Sequence, residues 1–247
     1  MPETTHDATT VARVRYATLS ARPSLAESLL TAAEVRRIAA LRRDEDRART
    51  TLGIVLAKVT VANELGIAAN SVVIERLCSQ CGGDHGKPRT AGAEFSVAHS
   101  GDLVIVAVSR HAPVGVDVET TARFDESVSA ALGLTEVTGP AAEIATEWCR
   151  REAVAKATGH GVAAPLTEVR VTRAHRPPAL LTYRGRRLPA TLADLRLPEG
   201  YVGSVAVLTD APVSFDIRRA SELLATRTAV MTDGATNPVP TPPPTLR

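Results

Sequence analysis

The sequence predicts an α+β fold made of two similar halves, each a long helix packed on a small antiparallel sheet. Three observations carry this. Apolar residues recur at helical spacing over residues 44–65, and a second helical stretch runs from about Pro140 to Thr158. Short strand signals follow each helix, so the order helix then antiparallel strands occurs twice. The junction falls near Pro113, which divides the chain into an N-terminal half (1–112), a C-terminal half (113–226) and a tail (227–247).

Residues 1 to about 10, rich in Thr and charge, read as a loose leader. In the first helix Leu52, Val55, Leu56, Val59, Ala62 and Leu65 follow one another at steps of three and four, and Gly66 ends it. Val72 to Leu77 is a short strand candidate, and the run from Gly82 to Pro88 is a loop or turn. Phe95 and Val97 alternate with polar or small neighbours before His99. Leu103 to Val108 is a continuous apolar run that suits a buried strand. Val114, Val116 and Val118 alternate with Gly115, Asp117 and Glu119. The turns Ser100-Gly101-Asp102 and Arg110 to Pro113 are short enough for hairpins. In the second helix Pro140 lies in the first turn and Gly159 just past the end. Strands are expected around Val169–Thr172, Leu180–Tyr183 and Tyr201–Leu208. From Arg227 onward Thr, Pro and Ala dominate and Pro recurs five times, so the tail is expected to be disordered.

The totals exclude several classes. A net charge of +2 over 247 residues lacks the concentrated Lys and Arg excess that phosphate-backbone binding needs, so no nucleic-acid partner is expected. Arginines do cluster locally, as Arg36, Arg37, Arg42, Arg43, Arg47 and Arg49. That cluster is either a solvated helix face or a site for a small phosphorylated ligand or an acidic protein. With 3 cysteines no disulfide framework is implied. No apolar run approaches the ~18 residues of a membrane span, and the expected setting is cytoplasmic, with the chain acting as a monomer.

The chemistry concentrates in four stretches. In Val114-Gly-Val-Asp-Val-Glu119 the alternation of a strand points Asp117 and Glu119 the same way, with Cα atoms roughly 6–7 Å apart. Two carboxylates that close either share an exposed face or hold a cation between them, and hard oxygen ligands suit Mg²⁺. In Trp148-Cys-Arg-Arg-Glu-Ala-Val-Ala-Lys156, Glu152 and Lys156 are one turn apart, as an ordinary surface pair would also be. Phe95-Ser-Val-Ala-His-Ser100 ends a strand with a histidine, and His85-Gly86-Lys87-Pro88 puts a lysine in a tight loop where it could meet a phosphate. Cys78, Cys81 and His85 also have zinc-ligand spacing, though they supply only three local ligands.

In order and spacing, Gly-Lys-Pro, Phe-Ser-Val-Ala-His-Ser, Val-Gly-Val-Asp-Val-Glu and Trp-x-x-Arg-Glu-x-x-x-Lys-x-x-Gly-x-Gly together resemble the Sfp-type 4'-phosphopantetheinyl transferases. The resemblance covers roughly residues 30–210. It implies a pseudo-dimer of two α+β halves with coenzyme A in the cleft between them. The implied activity is Mg²⁺-dependent transfer of the 4'-phosphopantetheine arm to a serine of an apo acyl or peptidyl carrier protein, with release of 3',5'-ADP. Such enzymes serve fatty-acid, polyketide and nonribosomal peptide synthesis. Residue by residue, it makes Asp117, Glu119 and Glu152 the metal ligands. Lys156 would contact the phosphates and protonate the departing oxygen, and the serine proton would go to Glu152 or a metal-bound water. His99 and Arg49 would grip the 3'-phosphate end, and Lys87 the nucleotide side. Arg36 and Arg37 are further basic candidates without a fixed register. Two positions depart from the pattern: Ala98 stands where Ser is frequent, and Arg151 where Lys is usual. The alternative is a non-catalytic protein of the same fold that binds carrier protein or coenzyme A. Presence of all four of Asp117, Glu119, Glu152 and Lys156 speaks against it.

Overall fold

The computed structural model describes residues 9–21, 26–76, 82–83, 86–125, 127–128, 139–159, 166–221 and 223–224. Strand β1 (Thr10–Thr18) comes first, followed by short helices α1 (Ala26–Leu29) and α2 (Ala32–Ala39) and the long α3 (Asp44–Leu65). Strands β2 (Glu94–Ser100), β3 (Leu103–Ser109) and β4 (Val114–Thr120) lead to helix α4 (Ala141–Thr158). Five strands complete the order: β5 (Val169–Val171), β6 (Leu180–Tyr183), β7 (Thr191–Asp194), β8 (Tyr201–Val207) and β9 (Val213–Arg219). The fold is α+β, with sheets ordered β2-β3-β1-β9, β4-β8-β7 and β5-β6.

Alternation along β3 explains how the layers stack. Every residue of this strand is buried. Val104, Val106 and Val108 join the cluster formed with Val55, Leu56 and Val59 of α3. Leu103, Ile105 and Ala107 join Val114, Val116 and Val118 of β4 and Val205 and Val207 of β8. Behind β4 and β8, Ala153, Val154 and Ala157 of α4 pack with Ala206. The layers therefore run helix, sheet, sheet, helix, each strand face burying its own set.

Both long helices begin and end as their sequences direct. Asp44, Glu45 and Asp46 occupy the first turn of α3, where carboxylates favour the helix dipole. Gly66 closes it at φ 70° and Gly159 closes α4 at φ 74°, the left-handed geometry that glycine adopts without Cβ strain. The amphipathic stripe expected for α3 is too narrow a description. Leu52 through Ala62 are all buried, because α1 and α2 cover the outer side. Lys58 crosses this interface fully buried, donating to the Leu29 carbonyl at 2.7 Å and to Glu34 at 2.8 Å.

Four expectations about elements differ from the structure. Of the strand expected at Val72–Leu77, the described residues form one antiparallel bridge, in which Glu75 and Arg89 exchange backbone hydrogen bonds at 2.9 and 2.8 Å. The stretch after the leader, to which the sequence assigns no element, forms strand β1 from Thr10 and pairs antiparallel with β3. The Arg110–Pro113 turn does not make a hairpin: β4 leaves the first sheet and pairs with β8. Finally, β9 lies within the span assigned to the C-terminal half, yet it pairs parallel with β1 in the N-terminal sheet. Cys78, Cys81, His85 and the tail from 227 lie outside the described residues.

Candidate functional site

Strand β4 presents two faces of different chemistry. Its valines are sunk between the sheets, while Gly115, Asp117 and Glu119 face helix α4. A Cβ on Gly115 would lie 2.0 Å from the Ala153 carbonyl oxygen and 2.4 Å from the Ala157 nitrogen. The helix backbone therefore rests directly on the strand at this point. That contact sets the separation between the carboxylates of β4 and the side chains of α4 one or two turns away.

Lys156 reaches across the gap and donates to Asp117 Oδ1 at 2.6 Å. Asp117 is buried, and its second oxygen, Oδ2, is buried with no hydrogen-bond partner among the described residues. A buried carboxylate oxygen without a donor is costly unless a cation or another donor meets it. Glu119 accepts from Ser100 Oγ at 2.7 Å and from Arg123 at 3.4 Å. Burial pushes its pKa up, the Ser100 hydrogen bond draws it back and the Asp117 charge raises it further. Glu152 is raised for the same two reasons, burial first and then the Asp117 charge, with Lys156 opposing. Burial alone would lower the Lys156 ammonium, but the charge and hydrogen bond of Asp117, with Glu152, hold it above its ordinary value. Beneath them Cys149 is fully buried, its thiol driven well up by burial and then by Asp117.

Two clefts continue from this cluster. The first, about 250 Å³, is lined by Gly86, Lys87, Pro88, Lys156 and Gly159, with Val97 in its wall. Lys87 donates to the Ala157 carbonyl at 3.3 Å and pairs with Glu94 at 3.5 Å. Burial, ahead of Glu94, sets its pKa and leaves it lowered. The second cleft, about 230 Å³, shares Val97 and is lined by Arg37, Arg49, Arg76 and His99. His99 is exposed at its edge, and its imidazole is held below the ordinary value by desolvation and then by Arg49 and Lys156. Arg49 also has a structural task, since its Nε donates to the Gly101 carbonyl at 2.6 Å and its Nη1 to Asp46 at 2.9 Å.

All seven residues singled out in the sequence thus lie along one path: Asp117, Glu119, Glu152 and Lys156 at one end, Lys87 in the middle, His99 and Arg49 at the other. Of the two further basic candidates, Arg37 lines the second cleft, and Arg36 is not part of its lining. Reading by motif missed Arg76, whose flanking sequence carries no signal. It also missed Arg150, fully buried, which grips Asp194 through both oxygens (3.0 and 2.6 Å) and the carbonyls of Thr172, Arg173, Ala174 and Arg176. This fastens α4 to β7 and to the loop after β5. Arg151, the departure noted beside Glu152, is also buried and donates to the Leu166 carbonyl at 3.3 Å. Trp148 packs against Phe124 with ring centroids 6.2 Å apart, beside Ile144.

The donor set is one of hard oxygens: Asp117 Oδ2 with Glu119 and Glu152 beside it. That chemistry fits Mg²⁺, which typically takes one or two carboxylates and completes its shell with water and substrate phosphate. Among the described residues no three His, Cys, Asp or Glu side chains converge into a ready-made metal cage. A small ion sharing its ligands with a phosphate substrate is the case this arrangement suits.

Fold and site bring buried carboxylates and cationic side chains together along two connected clefts. Residues 113–206 match the family model described as the 4'-phosphopantetheinyl transferase superfamily. The matched span holds Asp117, Glu119, Glu152 and Lys156, so the resemblance read from the motifs stands at the level of that superfamily, and phosphopantetheine transfer in general is the chemistry it supports. No curated protein matches the chain. Among the described residues no helix is long and apolar enough to cross a membrane.

Proposed function

We propose that this protein moves the 4'-phosphopantetheine arm of coenzyme A onto a serine of an apo acyl or peptidyl carrier protein, acting as a cytoplasmic monomer in the Sfp-type manner. The observation that carries the reading is the buried Oδ2 of Asp117, without a hydrogen-bond partner among the described residues, beside Lys156 at the head of two cation-lined clefts. Coenzyme A is long and carries phosphate at two places, and the path from Lys156 past Val97 to His99 offers cations at two places.

In this reading the 3'-phosphate lies by His99 and Arg49, and the diphosphate by Lys87 and Lys156. Asp117, Glu119 and Glu152 would hold a Mg²⁺, whose charge offsets that of the diphosphate when it is bound. The carrier serine Oγ forms a bond to the β-phosphorus, the bond from that phosphorus to the bridging oxygen breaks, and its electron pair leaves with 3',5'-ADP. Glu152, beside the site where the serine would attack, takes the serine proton. Lys156, held protonated by Asp117, acts through charge on the departing oxygens, since an ammonium with a raised pKa gives up its proton reluctantly. Positioning and charge neutralisation are what phosphoryl transfer chiefly requires.

The test is incubation with coenzyme A, Mg²⁺ and a panel of apo carrier proteins, followed by intact mass measurement. A gain of one phosphopantetheine arm on at least one carrier is expected. No gain on any carrier, with coenzyme A still bound, would favour a binding protein instead.

A further inference from the structure

Strands β2 and β4 lie side by side where the two sheets meet, yet among the described residues no backbone ladder joins them: β2 pairs with β3, and β4 with β8. Two serines of β2 supply the missing bonds. Ser96 Oγ accepts from the Val116 N–H at 3.1 Å, and Ser100 Oγ accepts from the Thr120 N–H at 3.1 Å. The spacing is four residues on each strand. Both serines are buried.

Ser96 lines the cleft of Lys87 and Lys156, whereas Ser100 reaches the carboxylates. Besides accepting from Thr120, the Ser100 hydroxyl donates to Glu119 Oε2 at 2.7 Å. Since the backbone N–H occupies a hydroxyl lone pair, the proton is left pointing at the carboxylate. A hydroxyl donating to an ionised carboxylate makes one of the stronger hydrogen bonds available to a neutral side chain. Among the described residues that oxygen also accepts from Arg123 at 3.4 Å, an exposed side chain that holds it weakly. On the same strand, His99 points the other way and lines the basic cleft.

We propose that Ser100 is a positioning residue: it fixes the Glu119 carboxylate beside Asp117 and so ties the strand that lines the coenzyme clefts to the carboxylates of the other sheet. It touches neither substrate nor metal. The inference rests on the reading of Asp117 and Glu119 as ion-holding carboxylates, and it adds a side chain from the N-terminal sheet to that arrangement. A purely structural seam would make Ser96 and Ser100 alike in their effect on the Mg²⁺ dependence of coenzyme binding; because Ser96 lines the Lys87–Lys156 cleft, that dependence, and not the affinity itself, is the quantity compared.

Coenzyme A binding is measured calorimetrically with Mg²⁺ and with a chelator, for wild type, Ser96→Ala and Ser100→Ala, with melting temperatures alongside. Both variants are expected to melt lower by similar amounts. In Ser100→Ala alone, the Mg²⁺-dependent gain in coenzyme affinity should fall by about tenfold, the usual scale for a lost hydrogen bond to a charged group. Ser100→Cys keeps nearly the same volume with a much weaker donor, and should show the same loss even if the alanine variant folds poorly. Equal Mg²⁺ dependence in Ser96→Ala and Ser100→Ala, or a wild-type gain in Ser100→Cys, overturns the positioning role alone. Wild-type coenzyme binding that ignores Mg²⁺ overturns the metal reading beneath it as well.

Discussion

Asp117 meets two opposing demands: one oxygen is held by Lys156, and the other is buried with no hydrogen-bond partner among the described residues. Two carboxylates on one strand face suggest that removing either relieves repulsion and stabilises the fold. The Lys156 contact reverses that expectation, because Asp117→Ala would strand a half-buried ammonium without its partner. Asp117→Ala should therefore abolish transfer and lower the melting temperature; turnover at the wild-type rate with saturating coenzyme would remove Asp117 from the site. Glu152 behaves differently. Its folded pKa is raised, so the folded state keeps that proton to higher pH than the unfolded chain does. Stability from this group is full below the ordinary carboxylate range and is lost as pH rises through the raised value. In chelator at neutral pH, Glu152→Gln should melt above wild type, while its turnover with Mg²⁺ falls by about 10²–10⁴ if Glu152 is the base. A lower melting temperature in chelator would show that the glutamate is held by partners rather than strained by burial.

At the scale of elements, the contact that matters most is α4 on β4. Gly115 was legible in the sequence only as a small residue alternating with valines; that the helix backbone occupies the space of its missing side chain belongs to the packing. Gly115→Ala must push the Ala153 carbonyl away, and with it the turns that carry Glu152 and Lys156. Forcing a methyl into a closed interface typically costs about 1–3 kcal/mol. A melting temperature lower by several degrees is expected, together with a loss of turnover larger than the loss in coenzyme affinity. Unchanged kinetics would show that the helix position is not what aligns the site. The long helices were legible because caps and periodicity are local: Gly66 and Gly159 stand at the helix ends that the sequence assigns. Strands β1 and β9 were not, since each is stabilised by partners far along the chain, β1 by β3 and β9 by β1. The serine seam escaped for the same reason, as nothing near Ser100 in sequence announces Thr120 and Glu119.

Over the whole molecule, the two sheets stacked between two helices bring a strand from each half to one cleft, which is why motifs spread from Lys87 to Lys156 converge. Order and spacing of the motifs revealed the family-like constellation, but not that Arg49 also braces the β2–β3 turn or that Arg76 shares its cleft. If that basic cleft takes the 3'-phosphate, His99→Ala should weaken coenzyme A by roughly tenfold to a hundredfold, the scale of a charge-assisted hydrogen bond, and leave 3'-dephospho-coenzyme A nearly unchanged. Equal weakening of both would make the histidine structural. The most direct measurement of the whole account is a crystal structure with coenzyme A and Mg²⁺. The account predicts the diphosphate between Lys87 and Lys156, the 3'-phosphate beside His99, and the ion on Asp117 Oδ2. Coenzyme bound elsewhere, with Asp117 Oδ2 still facing no ligand, would contradict it.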